Sequence, residues 1–316
     1  MRYVLRIVAQ RLLLALFTIL IASFGIFWMV ELLPGDVATR ILGQAATDET
    51  AATLRERLHL DEPAMQRYLR WLGDFVRGDW GVSLVADRPV TEYVLPRLGN
   101  TLLLAGFAIA LYVPLALTLG VITAVFRERR FVGWLSAAVV LTTAIPEFVL
   151  GILLLVTFAV MLPWFPPLAD ITRAGSLPEL LHVIALPALT LTLAMTAYAV
   201  RMMHSSLVTV LESEYVRMAR LKGLPAWRIV FRHAVPNAMG PAIRVTVLNV
   251  AFVVGGVVLV ERIFNFPGIG RLLVDSIQLL DTPVIEAITL ILASTYILAN
   301  LGADLLAALF NPRLRD

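Results

Sequence analysis

The sequence has 316 residues, of which 59% are hydrophobic and 16% are charged, whereas a soluble domain has about 25% charged residues. It contains no cysteine, which excludes disulfide bonds, thiolate metal sites and a cysteine nucleophile. Its single lysine, Lys222, does not follow a G-x-x-x-x-G-K-[ST] turn, so the chain has no P-loop and any ATP would be hydrolysed by another polypeptide. The net charge is +3. The basic residues are placed as expected for a protein oriented in a membrane and not as a basic binding face, so we expect no nucleic-acid partner.

Six apolar runs are each about as long as a transmembrane helix, which needs roughly 20 residues to cross a bilayer core of about 30 Å. The first run is longer than a signal-peptide core of about 7 to 15 residues and lacks an A-x-A-like site after it, so we expect an uncleaved span. The runs predict an all-α, polytopic membrane protein with one permease domain over residues 1–316. The predicted spans are 12–30, 101–126, 131–162, 183–203, 241–260 and 284–304.

Charged residues alternate in sign between the segments that connect these runs. The segments on the side of the N-terminus hold about three basic residues for each acidic one, whereas the others hold more acidic than basic residues. Because cytoplasmic segments collect Lys and Arg, both termini are predicted to be cytoplasmic. Residues 31–100 then form an extracytoplasmic loop and 204–240 a cytoplasmic segment. Within the loop, apolar residues from Met65 to Val76 recur every three or four positions, which predicts an amphipathic helix with an N-cap at Asp61.

The cytoplasmic segment contains two short amphipathic patterns on either side of Gly223. The first covers 215–221, and Gly223 can take the left-handed conformation that ends a helix. Pro225 suits the first turn of a following helix. In that second helix four residues are spaced to line one face, namely Trp227, Val230, Phe231 and Ala234. From the residues alone, such a hairpin could lie on anionic lipid through its arginines.

The same segment resembles the EAA signature of bacterial ABC-importer permeases. Ala219 corresponds to its last alanine, Gly223 to its glycine and Pro236 to its closing proline. Arg217 stands at the first position in place of Glu, as in the dipeptide, oligopeptide and nickel permeases, whose stretch runs close to E-Y-V-R-x-A-R-x-K-G-L. Further patches extend the resemblance in the order of that family over nearly the whole chain, at 33–36, 61–83, 100–102, 260–264, 266–270, 281–283 and 311–313.

The resemblance implies a six-span, type I ABC-importer permease in a bacterial inner membrane. The implied partners are a second homologous permease subunit, two cytoplasmic ATPase subunits that bind ATP and Mg²⁺, and an extracytoplasmic solute-binding protein. No cofactor is implied for this chain. A dipeptide, a longer peptide, nickel or an opine are all open as the solute. The hairpin is expected to dock on the ATPase, and the residues implied for coupling are Glu214, Tyr215, Arg217, Ala219, Arg220, Lys222, Gly223, Leu224, Phe231 and Pro236.

Two carboxylates are candidates for the solute path. Glu147 lies mid-span beside Pro146, and an ionisable group at that depth is costly enough to indicate a pathway. The alternatives are that a neighbouring span satisfies it, that a wider water-filled cavity surrounds it, or that backbone donors freed by Pro146 pair with it. Glu261 lies at the predicted outer mouth, where the resemblance suggests contact with delivered solute and an interfacial ion pair fits equally well. Asn249 and Asn300 are interpreted as hydrogen-bonding pins between helices.

Two other classes of membrane protein compete with this interpretation. A secondary carrier would show inverted repeats and broken helices at mid-membrane, and no repeat between the two halves is visible in the sequence. An intramembrane enzyme would need a catalytic constellation, but no G-x-S-x-G elbow occurs and no histidines stand at metal-ligand spacing. Co-purification of an ATPase would fit only the importer.

Overall fold

The computed structural model of the protein describes residues 2–32, 49, 52 and 62–309, and within this part the chain is helical. Outside the helices, an isolated antiparallel bridge joins Val82 and Pro89. The helices of the described part are α1 (Arg2–Glu31), α2 (Ala64–Arg77), α3 (Val90–Val125), α4 (Arg130–Ala144), α5 (Glu147–Leu155), α6 (Leu177–Leu211), α7 (Glu214–Leu221), α8 (Val235–Ile263), α9 (Ile269–Gln278) and α10 (Thr282–Leu309). Short 3₁₀, α or π-helical turns occur at Val156–Met161, Ile171–Arg173, Ala226–Arg228 and Ile229–Ala234.

Four helices of the described part are long and apolar enough to cross a membrane. They are α1 over Val8–Glu31, α3 over Val90–Val125, α6 over Leu177–Leu211 and α10 over Thr282–Gly302. The helix α8 contains the predicted span 241–260 and has 29 residues. These helices make the protein an all-helical, polytopic membrane protein.

The predicted span 131–162 is divided into two helices. The axes of α4 and α5 differ by 110°, and the break lies at Ile145 and Pro146. Both residues have extended backbone, with φ −96° and ψ 124° at Ile145 and φ −56° and ψ 142° at Pro146. A proline has no N–H to donate and its ring disfavours the helical conformation of the preceding residue. The run 131–162 therefore forms a sharply bent pair of helices.

Several helices extend beyond the apolar runs that predicted them. The helix α3 begins at Val90, eleven residues before the predicted span, and includes Glu92 and Arg97. The helix α6 continues to Leu211. An uncharged run marks only the part of a helix that suits the hydrocarbon core, whereas i to i−4 hydrogen bonding continues through polar residues at the interface. The predicted loop 31–100 consequently ends in helix.

The described chain forms two compact units, of which the first comprises residues 1–101 and 267–298. The predicted amphipathic helix is present as α2, which follows Pro63, whereas Asp61 lies outside the described residues. Tyr68 of α2 is buried against the aromatic rings of Phe24 and Phe27 in α1. Its hydroxyl is also hydrogen-bonded to Ser23 Oγ at 2.9 Å. These contacts fix α2 to α1.

The second unit comprises residues 102–266 and 299–316, and α6 packs there against α4, α5 and α8. Asn249 of α8 donates hydrogen bonds to the Tyr112 hydroxyl at 2.8 Å and to the Met195 carbonyl at 3.2 Å. The interpretation of Asn249 as a pin between helices is confirmed. Gly120 allows α3 to approach α6 closely, because a Cβ there would lie 2.6 Å from the Cβ of Met203.

Candidate functional site

The hairpin predicted around Gly223 is formed by residues 214–234, and we call it the coupling hairpin. The helix α7 ends at Leu221, and Gly223, two residues further on, has a φ of +75°. The N–H of Gly223 donates to the Arg220 carbonyl at 2.9 Å and the N–H of Leu224 donates to the Ala219 carbonyl at 3.3 Å. This pair of hydrogen bonds is the Schellman motif, which requires a left-handed residue after the helix. The prediction that Gly223 supplies that residue is confirmed.

A small apolar core joins the two arms of the coupling hairpin to the end of α6. Val216 and Ala219 of α7 are buried against Ile229 of the second arm. Val210 and Leu211 of α6 pack against the same cluster. Because buried side chains are close-packed, the hairpin and the end of α6 form one rigid piece.

The exposed surface of the coupling hairpin includes large apolar side chains among its charged ones. Five large side chains are half exposed or more, namely Tyr215, Met218, Leu221, Trp227 and Phe231. The predicted shared face of the second arm is wrong in part, since Val230 and Ala234 are buried whereas Trp227 and Phe231 are each 63% exposed. The reason is the π-helical turn at Ile229–Ala234, which widens the spacing that the prediction assumed.

Two polar contacts occur within and next to the coupling hairpin, and sequence reasoning found neither. The Tyr215 hydroxyl and His233 Nδ1 are 2.6 Å apart and link α7 to the second arm. Arg127, which follows α3, donates to Glu212 Oε1 at 2.6 Å. The partners are far apart in sequence and share no helical spacing, so no pattern pairs them.

The remaining predicted coupling residues lie on the solvent side of this hairpin. Arg217 lies 3.5 Å from Glu214, which is a weak contact between exposed side chains. Arg220 and Lys222 are exposed, and Pro236 is exposed in the first turn of α8. The predicted coupling residues from Glu214 to Leu224, and Phe231, thus all belong to the coupling hairpin.

Glu147 is the first residue of α5, directly after the break at Pro146. Its carboxylate lies against Gly256 of α8, where a Cβ would be 2.6 Å from Oε2 and 2.9 Å from Oε1. The Oε2 atom is buried without a hydrogen-bond partner in the described part of the chain. Within the described residues, neither a neighbouring span nor the backbone near Pro146 donates a hydrogen bond to this oxygen. Sequence reasoning missed Gly256, for which no motif exists.

Glu261, the second carboxylate of the predicted path, is fully buried in the last turn of α8. It interacts with other groups of the protein, as does the neighbouring Arg262. The coupling hairpin, Glu147 and Glu261 therefore lie on separate elements, and the Glu147 carboxylate contacts the helix backbone at Gly256.

The sequence is similar to known transport proteins over almost its whole length. Residues 116–316 match the family model described as "Binding-protein-dependent transport system inner membrane component", and residues 4–105 match the model of the N-terminal part of such components. The protein named "Glutathione transport system permease protein GsiC" of Escherichia coli K12 is 37% identical over 313 residues, 98% of this chain and 99% of the relative. The protein of that name from Salmonella paratyphi A is 38% identical over 312 residues, with the same shares covered. The protein named "Probable peptide ABC transporter permease protein y4tP" of Sinorhizobium fredii is 35% identical over 310 residues, 98% of both chains.

Proposed function

This chain belongs to the family of binding-protein-dependent transport system inner membrane components and is a permease subunit of an ABC importer, and we propose that it carries a peptide-class solute. It works with six spans and cytoplasmic termini in a bacterial inner membrane. A second homologous permease completes the solute path, two ATPase subunits bind below, and a solute-binding protein delivers the solute above. The family description supports the binding protein, and the alternating charge of the connecting segments supports the orientation.

The peptide-class solute is inferred from the relatives, whose printed names refer to glutathione and to peptides. A peptide carries an ammonium group, and a carboxylate on the path would attract it. An ATP-driven importer is favoured over a secondary carrier, because the relatives align end to end with this chain.

The coupling hairpin is the contact with the ATPase in this proposal. The observation that carries it is the set of exposed apolar side chains on α7 and the second arm, among them Met218 and Trp227. Several large exposed apolar side chains on one short element are typical of a site for another protein. Burial of such side chains in a complex contributes about 25 cal/mol for each Å² of apolar area.

The buried contacts of the hairpin give the docked ATPase a route to the spans. Ile229 and Val216 connect the hairpin to the end of α6. Ala234 and Ala238 at the start of α8 pack against Leu207 of α6. A displacement of the hairpin therefore moves the end of α6 and the start of α8 together. Packed interfaces of this kind change between two discrete arrangements.

The test is a pair of substitutions at Gly223. In Gly223→Val, a β-branched residue must adopt φ +75°, which costs about 1–3 kcal/mol and lowers the population of the docking conformation by about 5- to 150-fold. Solute uptake by proteoliposomes that contain the assembled importer is expected to fall accordingly. Gly223→Asn is the matched control, because Asn has similar volume and tolerates the left-handed region.

A Cβ at Gly223 would meet no atom within 4 Å, so the two variants differ in backbone preference and not in steric fit. Uptake is expected to survive in Gly223→Asn. Undiminished uptake by Gly223→Val, with normal assembly, would contradict the coupling role.

Glu147 lines the solute path in this proposal and attracts the solute's cationic group. Its support is the buried, unpaired Oε2 beside the break at Pro146, because an intramembrane carboxylate without a protein partner is costly unless a ligand or water meets it. Glu147→Gln keeps the shape and removes the charge. We expect uptake of a peptide with a free ammonium group to fall by about 5- to 10-fold, whereas an N-acetylated peptide is affected less. Equal effects on both peptides would exclude the role of the charge.

A further inference from the structure

Three residues form an exposed apolar line along the helix α2. Met65, Leu69 and Val76 are 49%, 60% and 79% exposed. They are spaced by four and seven positions, so their side chains lie on one side of the helix. We call this line the α2 stripe. Within the described part of the chain, the stripe is therefore left largely uncovered.

A polar line lies on another side of the same helix. Gln66, Arg70 and Arg77 are exposed, and the two arginines form ion pairs with Glu62 and Asp74. Since a helix turns by about 100° per residue, the polar line lies about 100° around the helix from the α2 stripe. A helix with an apolar side and a charged side, both exposed, is typical of a membrane–water interface.

The uncharged run of α1 fixes the position of that helix along the membrane normal. Residues 12–30 carry no charge, and Arg11 and Glu31 stand at the two ends. These 19 residues rise by about 28 Å in a helix, slightly less than a hydrocarbon core of about 30 Å. A shift by one helical turn would move Arg11 or Glu31 into the hydrocarbon, which is costly. The run therefore has one register, with Glu31 at the boundary of the core.

Two neighbouring residues of α2 contact α1 at different depths. Arg67 forms an ion pair with Glu31 at the boundary. The Tyr68 hydroxyl is hydrogen-bonded to Ser23 at 2.9 Å, and Ser23 precedes Glu31 by eight residues, or about 12 Å along a helix. Arg67 is on the side of the contact nearer the polar line, whereas Tyr68 is on the side nearer the α2 stripe. The stripe is therefore on the deeper side of α2.

The exposed surface of α1 indicates what surrounds the α2 stripe. Leu12, Leu13 and Leu14 are 51%, 66% and 58% exposed and, as consecutive helical residues, point in directions about 100° apart. Met29 is 76% exposed and follows Phe27, which packs against α2. Lipid covers a span on all open sides, whereas a protein partner covers one line of side chains. The α2 stripe thus continues a surface that suits lipid.

We propose that the α2 stripe inserts among the lipid acyl chains of the leaflet at the Glu31 end of α1. The polar line then faces the headgroups and water, and Arg67 and Tyr68 hold α2 at this depth. The helix α2 is in consequence an interfacial anchor for the segment that follows the first span. This anchor requires neither the ATPase nor the solute, so its absence would leave the proposed transport function unchanged.

The test is electron paramagnetic resonance of the full chain in vesicles of palmitoyloleoylphosphatidylethanolamine and palmitoyloleoylphosphatidylglycerol. Because the chain has no cysteine, Leu69→Cys and Val76→Cys each carry a single nitroxide label. Oxygen dissolves in hydrocarbon, whereas a polar nickel chelate stays in water. The ratio of oxygen to nickel collisions is expected to be about 10-fold higher at both labels than at Gln66→Cys. Gln66→Cys is the matched control, since it is exposed on the polar line of the same helix.

Three results would overturn the lipid assignment. Equal collision ratios at Leu69→Cys, Val76→Cys and Gln66→Cys would show that the α2 stripe faces water. Protection of the Leu69→Cys and Val76→Cys labels from both reagents would show that another segment of this chain, or a second copy, covers the stripe. Protection from both reagents only in the assembled importer would assign the stripe to a partner subunit. Val76→Cys keeps the test decisive where Leu69→Cys fails to fold.

Discussion

Gly223 and Gly256 both lie where the structure favours glycine, but for opposite physical reasons. Gly223 has φ +75° and open space around it, so its backbone conformation disfavours β-branched and most other residues. Gly256 lies within the helix α8, and a Cβ there would be 2.6 Å from the Glu147 carboxylate. The first glycine fixes the shape of an exposed hairpin, and the second makes room for a carboxylate inside the membrane. The two positions should therefore tolerate different substitutions.

The effect expected at Gly256 is steric. In Gly256→Val, the added side chain overlaps the carboxylate at the end of the flexible Glu147 side chain, which must move away, so the cost is at the lower end of the range of about 1–3 kcal/mol for overpacking. The loss is measured as a lower temperature of unfolding in detergent. Because the clash is with one side chain, the double variant Gly256→Val/Glu147→Ala is expected to recover most of it. A double-mutant cycle with a coupling energy below about 0.5 kcal/mol would show that the clash is elsewhere.

At Gly223, truncation of a nearby side chain is not expected to rescue the variant. Apart from the two chain neighbours, no side chain lies within 4 Å of the position of a Cβ there, so truncating a side chain such as Leu221 cannot restore Gly223→Val. Only a residue that accepts the left-handed region, as in Gly223→Asn, is expected to restore uptake. Rescue of Gly223→Val by Leu221→Ala would remove the distinction between the two glycines.

The smallest effect concerns the contact between Tyr215 and His233. Tyr215→Phe removes the hydroxyl that is 2.6 Å from Nδ1 and keeps the ring, whose contact with His233 is T-shaped. The loss is about 0.5–1.5 kcal/mol, the net contribution of one hydrogen bond. Amide hydrogen exchange is expected to become faster in α7 and unchanged in α5. An unchanged exchange rate in α7 would show that the hydrogen bond does not hold the hairpin closed.

Local signals in the sequence predicted the parts of the fold that depend on local chemistry. Gly223 follows an amphipathic run and precedes Pro225, so the end of α7 could be predicted from residues alone. Apolar runs located the helices, but not their ends, because Glu92 and Arg97 are compatible with helix beyond the hydrocarbon core. The break at Pro146 was not predicted, and its angle depends on packing that no sequence window contains.

Contacts between distant residues could not be predicted in this way. Glu147 was identified from its charge, but its packing against Gly256 joins positions on different helices without shared spacing. The π-helical turn Ile229–Ala234 changed which side chains of the second arm are buried. The burial of Glu261 likewise follows from tertiary packing and not from its place near the end of an apolar run.

Single introduced cysteines test the coupling role of the hairpin most directly. Because the chain contains no cysteine, Met218→Cys and Arg173→Cys would each be the only thiol. Met218 is exposed on the coupling hairpin, and the Arg173 side chain is 86% exposed in the loop after α5, which is predicted to be extracytoplasmic.

A short thiol-directed cross-linker is applied to the assembled importer in membranes. We predict a covalent adduct between Met218→Cys and the ATPase subunit, whose yield changes when ATP is bound, and no such adduct for Arg173→Cys. A membrane-impermeant thiol reagent should label Arg173→Cys, and not Met218→Cys, in intact spheroplasts. Absence of the Met218→Cys adduct, or labelling of that thiol from outside, would contradict the account.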